Sequence, residues 1–439
     1  MFAHSHPAFS GYCRIRCEGT RTANFLDRNR SCELSVKYSG GFDQGDPLAT
    51  AAYPSIQSIA VSNTLSRHPN VRMIGLADDK TLWGDLGDVF AAFDTYISEL
   101  RSLGLTVNPQ KCVAMSQDGV EHIFARCQAS GISAQDGFLI AGSPIGTDRF
   151  TQDHVISEVN RIRDLVKLVS TCLSEGKISY KFANQALTAV CRLVISQKVS
   201  HLGRSTPPVF TRIPFNWLDR DICNLVAQIA QTNVPNEFWS TVEGSLIAER
   251  IQSRIRDGGL GIPNLSQTAP HMYVGSLSLT LHTVLTRGFL ESSYVQLSSE
   301  NIDEYAQIAI PHLADALLSS PDSQITHASI FNEARPLVQR DLSAKSHIGR
   351  SEFIATRISN PPQRAWYRSL CSPHTGAFLT ANWTHRGLSM DNQTWARALR
   401  LRLGISTINA DNPKMCPHDN NLVINNTSLQ AFTCQHEKL

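Results

Sequence analysis

The chain has 439 residues, of which 42% are hydrophobic and 18% are charged, so it is long enough for two or three domains and too apolar to be disordered throughout. Its 40 lysines and arginines nearly balance 38 aspartates and glutamates, and the net charge of +2 neither indicates nor excludes a nucleic-acid partner. No apolar run has the length of a membrane-spanning helix, and the first residues lack the basic flank and apolar core of a secretory signal. The sequence therefore predicts a globular protein without a membrane partner.

The 11 cysteines are odd in number and follow no regular spacing. This pattern is typical of a reducing, intracellular setting in which most cysteines are small buried hydrophobic residues. Cys13, Cys17 and Cys32 lie near one another in the sequence but have no histidine at metal-ligand spacing, so we interpret them as structural.

Residues 1–38 are basic and irregular, and the glycine-rich stretch SGGFDQGDPL follows them. Glycine permits close approach of the backbone to a ligand. Pro47 fits the first turn of a helix, and the apolar residues of Ala49–Leu65 predict a buried helix that contains Pro54. A glycine-rich loop before a helix N-terminus suits a nucleotide or a nucleic-acid backbone. An ordinary loop-to-helix junction is the alternative interpretation.

The stretch Val71–Gly84 (VRMIGLADDKTLWG) contains two apolar runs on either side of two adjacent aspartates. Val71–Ala77 suits a strand, and Lys80–Gly84 can return antiparallel to it, with Asp78 and Asp79 at the tip. Two carboxylates on an otherwise apolar hairpin are costly if they stay unpaired, and Mg²⁺, which prefers oxygen ligands, would stabilise them. A solvated surface turn is the alternative.

A helix is predicted after the hairpin, with Asp88 as its N-cap and Gly104 just beyond its end. A short strand at Leu105–Val107 then leads to Lys111, which could reach a phosphate or donate a proton. A solvated lysine at a turn is the alternative. A further helix is predicted within residues 114–133.

Phe138–Phe150 (FLIAGSPIGTDRF) predicts a second hairpin. The order of hairpin, helix and strand predicts an α+β fold in which helices cover one face of an antiparallel sheet. From Thr151 onward, apolar residues recur at helical spacing, which predicts an all-helical region with its stripes in the core. Arg254–Pro263 predicts a tight turn that closes this region.

Basic residues punctuate the polar sides of the predicted helices and could line a nucleic-acid track. They are Arg161, Arg163, Lys167, Lys177, Lys181, Arg192, Lys198 and Arg204. A solvated helix face is the alternative. Nearer the C-terminus, arginines alternate with aromatic residues, which suits stacking on single-stranded bases. An amphipathic helix with Trp395, Leu399 and Leu403 inward and the arginines outward explains the same pattern.

Two Cys/His pairs lie near the C-terminus, Cys416 with His418 and Cys434 with His436. Four such ligands could form a tetrahedral Zn²⁺ site. Only one residue separates the members of each pair, whereas two to four are usual. A zinc element and a segment without metal therefore both remain as interpretations.

Taken together and in this order, the elements GGFDQGDPLAT, GLADDKTLWG, GLTVNPQKC and AGSPIGTDRF resemble the palm of a reverse transcriptase, and are most similar to polymerases of non-LTR (LINE-type) retrotransposons. The resemblance is clear over about residues 39–150 and thins beyond residue 263. It implies a partial polymerase palm, an antiparallel sheet with helices on one face, followed by an all-helical thumb and a helical C-terminal region.

The resemblance also implies roles for individual residues. Asp78 and Asp79 match the catalytic, Mg²⁺-binding pair, and Lys111 matches a lysine near the incoming triphosphate. The residues that match the nucleotide and template pocket are Gln44, Gly45, Asp46 and Pro47. The residues that match the primer grip are Gly142, Pro144, Ile145 and Gly146. Two positions depart from the family: Leu76 replaces an aromatic residue, and Lys80 replaces a small or apolar one.

On this basis the chain is predicted to contain five segments. They are a remnant that precedes the palm (1–38), the palm (39–150), a helical thumb-like region (151–263), a helical C-terminal region (264–410) and a candidate truncated Cys/His zinc element (411–439).

The implied reaction is RNA-directed DNA synthesis, the transfer of nucleotides to a primer 3′-OH by two Mg²⁺ ions. The implied partners are an RNA template, a DNA primer and deoxynucleoside triphosphates, and the family works on nuclear DNA. Family members carry another essential aspartate and the fingers upstream, and Asp27 lies too near Gln44 to match that aspartate. We therefore expect an N-terminal truncation and an isolated chain that is inactive or very weak. The alternatives are a nucleic-acid-binding remnant without catalysis and the palm of an RNA-dependent RNA polymerase.

Overall fold

The computed structural model divides the chain into two compact units, Met1–Gly142 and Ser143–Leu439. It describes residues 20–26, 32–39, 49–76, 78–232, 234–286, 338–359, 361–381, 384–385, 387–405, 415–416 and 419–423. No helix in these ranges combines the length and the apolar character needed to span a lipid bilayer.

Helices dominate both units. The α-helices are α1 (Ala49–Arg67), α2 (Leu86–Ser102), α3 (Glu121–Ser130), α4 (Asp148–Ser174), α5 (Ala183–Val190), α6 (Ser196–Lys198), α7 (Ser200–Ser205), α8 (Pro208–Ile229), α9 (Val242–Ile251), α10 (Leu265–Thr286), α11 (Val338–Arg357), α12 (Pro361–Leu370), α13 (Ala377–Thr380) and α14 (Asn392–Leu403). A π-helical segment, Cys191–Ile195, joins α5 to α6. Single 3₁₀ turns are formed by Pro109–Lys111, Asn236–Ser240 and Ile255–Asp257.

The described strands are short and pair two by two. They are β1 (Thr20–Leu26), β2 (Cys32–Ser39), β3 (Arg72–Leu76), β4 (Asp79–Trp83), β5 (Val113–Ala114), β6 (Ser133–Ala134), β7 (Gly137–Ile140), β8 (Ser143–Gly146), β9 (Met415–Cys416) and β10 (Asp419–Val423). The pairs are β1–β2, β3–β4, β5–β6, β7–β8 and β9–β10. The predicted α+β class is confirmed to the extent that the chain combines many helices with small sheets. A continuous antiparallel sheet is not seen among the described residues, and β5–β6 is parallel.

The first unit packs α1 and α2 beneath the β3–β4 hairpin. Ala60 of α1 and Tyr96 and Leu100 of α2 form a small buried cluster, against which Met73 of β3 packs. Polar contacts reinforce it, because Asn63 and Arg67 of α1 both contact the Glu99 carboxylate, at 2.7 Å and 3.0 Å. A second cluster of three buried residues (Phe90, Ile123 and Cys127) lies between α2 and α3.

Two local predictions in this unit are wrong. Helix α2 begins one turn earlier than expected, with Asp85 at its N-cap, and Asp88 lies in its first turn, where it accepts a hydrogen bond from Asn70 at 3.3 Å. Leu105–Val107 has no strand partner among the described residues, and its side chains Leu105 and Val107 pack on the α1–α2 cluster. The end of α2 is as predicted, with Gly104 at φ 78°.

The second unit has one large core and a smaller separate cluster of Ile354, Ile358 and Tyr367. Val155 and Val159 of α4, Phe215 and Leu218 of α8, and Trp395 of α14 all belong to the large core. The inward orientation predicted for Trp395, Leu399 and Leu403 is confirmed. The outward orientation predicted for the arginines is wrong at Arg402, whose side chain is 2% exposed. Its guanidinium donates to the carbonyls of Ile255, Gly259 and Thr375.

The turn predicted at Arg254–Pro263 is the place where α14 docks. Gly258 has φ 81° and Gly261 has φ 74°, which favour glycine over residues with a side chain. At Gly259 a Cβ would overlap the Ser253 carbonyl. The loop can therefore fold tightly enough to present the carbonyls that Arg402 binds.

The π-helical segment Cys191–Ile195 inserts a wide turn between α5 and α6. Ser196 Oγ donates to the Cys191 carbonyl at 2.5 Å, and Arg192 Nη1 donates to the Leu379 carbonyl at 3.0 Å. Leu193 and Val194 face solvent. The segment thus turns one basic side chain toward the fold and two apolar ones away from it.

Candidate active site

The two adjacent aspartates lie where β3 turns into β4. The antiparallel register pairs Leu76 with Asp79 and Gly75 with Lys80, so Asp78 lies in the connection and Asp79 begins the return strand. The hairpin predicted from the sequence is confirmed. Both carboxylate side chains are exposed. The apolar strands place the two acids next to each other and leave them accessible to a ligand.

Successive side chains of a β-strand point to opposite faces, so the residues next to the aspartate pair lie on two different faces of the hairpin. Met73 and Gly75 lie on the face of the hairpin that packs on α1 and α2, and Lys80, opposite Gly75, shares that face. Ile74 and Trp83 lie on the other face, where their side chains are 57% and 47% exposed. The inner face of the hairpin therefore packs on the unit at Met73, and the outer face exposes the apolar side chains of Ile74 and Trp83 among polar residues such as Thr81.

Lys80 connects the hairpin to helix α1. Its side chain lies across Gly75, where a Cβ would be 2.6 Å from the lysine Cδ. Its Nζ donates to Gln57 Oε1 at 2.6 Å. Partial burial lowers the pKa of Lys80, and the charges of Asp78 and Asp79 oppose that shift. The ammonium thus lies close enough to the two acids to balance part of their charge.

Two tyrosines extend this cluster along the helices. Tyr53, one turn before Gln57 on α1, hydrogen-bonds with it; burial, and then the charge of Asp78, raise the Tyr53 pKa. Burial raises the pKa of Tyr96 to about 12, with a contribution from Tyr53, and the Tyr96 hydroxyl has no hydrogen-bond partner within the described ranges. Sequence reasoning missed Tyr53 and Gln57, although their spacing of four residues on a predicted helix places them on one face.

A groove of about 770 Å³ lies beside this cluster, between α1 and the hairpin. Helix α1 lines one side with apolar and hydroxyl side chains, including Val61 and Ser62, and the hairpin contributes Gly75 and Lys80. Because Gly75 has no side chain, the groove remains open where it meets the hairpin.

The other residues predicted for this site lie apart from the aspartates in the hydrogen-bond network. Lys111 ends the 3₁₀ turn Pro109–Lys111 with its side chain exposed, and it makes no hydrogen bond or ion pair to Asp78 or Asp79 in the described part of the chain. Gln44, Gly45, Asp46 and Pro47 lie outside the described residues.

The predicted primer-grip residues lie around the turn between β7 and β8. Ala141 and Gly142 both have positive φ, 49° and 80°, and Pro144, Ile145 and Gly146 follow in β8. Two successive residues with positive φ are typical of a tight hairpin turn, as the sequence predicts. The Ser143 hydroxyl lies 3.1 Å from His201 Nε2.

Four of the eight basic residues proposed as a nucleic-acid track have acidic partners. Arg161 pairs with Glu158 at 2.6 Å, Arg163 with Asp221 at 2.8 Å, and Lys167 and Lys177 have acidic partners too. The helix face is therefore mixed in charge. The C-terminal aromatic residues Tyr367 and Trp395 are buried and do not offer a stacking surface.

No group of three or more histidine, cysteine, aspartate or glutamate side chains suited to a metal ion occurs among the described residues. The aspartate pair is a set of hard oxygen donors, which suits Mg²⁺ held partly by water and substrate phosphates. Cys416 lies in β9, whereas His418, Cys434 and His436 lie outside the described residues.

No family model, curated protein or solved structure matches this chain. The chain's own residues offer one candidate site: an exposed aspartate pair at the tip of a hairpin, held on a two-helix support and flanked by Lys80 and an open groove.

Proposed function

We propose that the chain carries the palm of an RNA-directed DNA polymerase of the non-LTR retrotransposon type. The observation that carries this proposal is the placement of Asp78 and Asp79, adjacent and exposed at the turn of an antiparallel hairpin whose inner face packs on two helices. The helical region 151–263 would then serve as the thumb, and the reaction would transfer a deoxynucleotide from its triphosphate to a primer 3′-OH, with pyrophosphate as the leaving group.

Asp78 and Asp79 would hold Mg²⁺ in this function. When bound, Mg²⁺ stabilises the attacking and leaving oxygens of a phosphoryl transfer. Positioning and charge stabilisation account for most catalysis of such reactions, so the protein's main task is to hold the two carboxylates still. The β3–β4 pairing and the contact of Lys80 with Gln57 supply that rigidity.

Lys80 would modulate the affinity of the site for the metal and for the triphosphate. Its ammonium carries charge of the same sign as the metal and lies near both carboxylates. We expect it to weaken cation binding in the absence of substrate and to favour the negatively charged triphosphate when substrate arrives.

Primer extension on an RNA template, with Mg²⁺ and deoxynucleotides, tests the proposal with the full chain. We expect weak extension that needs the metal, because the described residues offer two carboxylates and no third beside them. The Asp78→Ala variant should lose it entirely. Asp118→Ala, which removes an exposed acid elsewhere in the same unit, should extend as the unaltered chain does. Equal extension by the unaltered chain and Asp78→Ala would refute the proposal.

Binding of Mn²⁺, followed by the relaxation of water protons, gives a readout that does not depend on turnover. Asp78→Ala should weaken Mn²⁺ binding at least tenfold, and Asp118→Ala should not. A chain that binds primer–template with a steep salt dependence, without extension and without any effect of Asp78→Ala, would instead be a nucleic-acid-binding protein. The mixed charge of the α4 face argues against that alternative as the whole function.

A further inference from the structure

A second pocket, far along the sequence from the aspartates, has no role in the proposed reaction. It lies in the Ser143–Leu439 unit, has a volume of about 500 Å³ and falls within the usual size of a small-molecule site. Helices α4, α5, α8 and α14 contribute to it. The lining residues are Leu173, Ser174, Asn184, Gln228, Gln231, Thr232 and Asn392.

Four of these seven residues carry a side-chain amide, and none of them carries a charge. A carboxylamide offers both hydrogen-bond donors and an acceptor in one plane. A pocket that is lined by amides and free of charge suits a flat, neutral ligand with donors and acceptors along its edge, and it does not suit a phosphate or a carboxylate.

The amides are held in place by neighbouring groups. Asn184 is 3% exposed and its Nδ2 donates to the carbonyls of Ile229 and Asn392, at 2.9 Å and 3.2 Å. Gln228 Oε1 accepts from Ser170 Oγ at 2.6 Å. These contacts fix the orientation of each amide and leave Asn184 Oδ1 as an acceptor and Gln228 Nε2 as a donor, without partners in the described ranges.

Gln231, another lining residue, has φ 55°, a conformation that residues other than glycine seldom adopt. Backbone strain of this kind is often found at binding sites. The side chain is exposed, and no hydrogen bond fixes its amide within the described part of the chain. It can therefore reorient to match a ligand.

The chain that adjoins the pocket carries an exposed aromatic residue. The Asn392 side chain donates to the Tyr180 backbone carbonyl at 3.1 Å, so the Tyr180 backbone adjoins the lining, and the Tyr180 side chain is 60% exposed. Phe182 meets the Tyr180 ring edge-on, with centroids 5.7 Å apart, which holds the tyrosine ring in place. Between them, Lys181 lies over the Phe182 ring and makes no ion pair among the described residues.

We propose that this pocket binds an unpaired nucleobase of a single-stranded nucleic acid. The amides of Asn184, Gln228 and Gln231 would read the edge of the base, Tyr180 would stack on a neighbouring base, and Lys181 would face the backbone phosphate. Each part fits the chemistry of single-strand recognition, in which stacking on aromatic rings and hydrogen bonds to base edges act together. The inference rests on the proposed function only in taking nucleic acid as the partner.

The test uses the full chain and a 12-nucleotide single-stranded RNA that carries one 4-thiouridine. Affinity is measured by fluorescence anisotropy, and the site of photocrosslinking is mapped by mass spectrometry. We expect crosslinks in the peptides that contain residues 173–184 or 228–232. Tyr180→Ala should lower the affinity about tenfold, as expected for the loss of one stacked base, whereas Tyr180→Phe should keep most of it.

Two glutamine variants make a matched pair. Gln231→Ala should lower the affinity severalfold and change the preference among homopolymers of the four bases. Gln197→Ala, an exposed glutamine of α6 outside the pocket, should change neither. Binding of the oligonucleotide with crosslinks elsewhere, and with unchanged affinity in Tyr180→Ala and Gln231→Ala, would overturn the proposal. Binding of a glutamine-rich peptide in the pocket, without binding of RNA, would also overturn the proposal.

The experiments distinguish a failure of the pocket proposal from a failure of the polymerase proposal. Asp78→Ala should leave the crosslinks at this pocket unchanged, because the two sets of residues belong to different units. A chain that extends primers but does not crosslink here would refute only the pocket. A chain that crosslinks here but neither extends primers nor binds Mn²⁺ would refute only the polymerase.

Discussion

The two units bury their apolar side chains in different ways. In the Ser143–Leu439 unit, one large cluster joins residues from α4 to α14 and includes Phe215, Leu218 and Trp395, and a smaller cluster holds Ile354, Ile358 and Tyr367. In the Met1–Gly142 unit, the described helices form two separate clusters of three buried residues each. Both units also expose large apolar side chains, such as Ile74 and Trp83 in the first and Val209 and Ile213 in the second. The candidate catalytic acids are thus carried by the unit with the thinner packing, and the candidate base pocket by the unit with the larger core.

This difference suggests that the two units differ in their stability against unfolding. A contiguous core opens as a whole, whereas small clusters open separately and at lower cost. We expect the 143–439 unit to unfold cooperatively and the hairpin unit to open locally, until a ligand or a partner covers its exposed apolar face. The following predictions test this difference, from the largest expected effect to the smallest.

Arg402→Met should destabilise the larger unit by about 3 kcal/mol, because it leaves three loop carbonyls without their buried donor. Urea unfolding followed by tryptophan fluorescence measures this, since five of the six tryptophans lie beyond residue 143. Arg397→Met, on the exposed side of the same helix, should change the free energy of unfolding by less than about 0.5 kcal/mol. Equal effects of the two variants would show that the buried arginine does not hold the C-terminal helix to the loop.

His347→Gln should make the larger unit less sensitive to acid. Burial, followed by the charges of Arg254 and Arg350, lowers the pKa of His347 to about 4 from the ordinary histidine value of about 6.5. Between pH 6.5 and 4 the unfolded chain therefore binds a proton that the folded chain does not. The free energy of unfolding has its full value above pH 6.5 and falls, by up to about 1.4 kcal/mol per pH unit, as the pH decreases toward 4.

Asp219 acts in the opposite direction, because burial raises its pKa to about 6, so its proton stabilises the folded chain as the pH falls through 6. A comparison of His347→Gln with the unaltered chain isolates the contribution of His347 to the pH dependence, because Asp219 is present in both. Urea midpoints at pH 7 and pH 5 should differ less for His347→Gln than for the unaltered chain, and the exposed His385→Gln should keep the original difference. An unchanged difference in His347→Gln would mean that His347 charges freely in the folded chain.

Tyr96→Phe should give the smallest effect and should act only on the first unit. The Tyr96 hydroxyl is buried without a partner in the described ranges, so its removal should stabilise the α1–α2 cluster by about 1 kcal/mol. Amide hydrogen exchange in Leu86–Ser102 measures the local gain. A matching gain in the 143–439 unit would contradict the separation of the two units, and a loss of stability would mean that the hydroxyl is bonded.

The sequence was most informative where the pattern and the turn chemistry agree. The β3–β4 hairpin follows from alternation on both sides of Asp78, and α1 follows from its apolar repeat in spite of Pro54. The prediction at Asp88 was wrong because Asp85, three residues earlier, is an equally good N-cap, and the choice depends on where the chain leaves β4. Predictions at Gln44–Pro47 and at three of the four candidate zinc ligands lie outside the described residues.

Contacts between distant segments could not be predicted in this way. Helical spacing places Arg402 seven residues after Trp395, on the inner face of α14, and only the carbonyls of a loop more than a hundred residues earlier explain why a charged side chain can be buried there. The contact between Lys80 and Gln57 likewise depends on how helices pack. So does the grouping of four amides, three from α5, α8 and α14 and one (Gln231) from the residues just after α8. A single sequence records residue types but not these pairings.

The wide turn at Cys191–Ile195 has a consequence for how this chain should be compared with others. A regular α-helix would cover the same path with one residue fewer, so its sequence would need a one-residue gap at this place. Without that gap, every position after Val190 would be matched to a side chain rotated by about 100° around the helix axis. A change in length by one residue should consequently be accepted here more readily than within α8, where every turn contributes to the core.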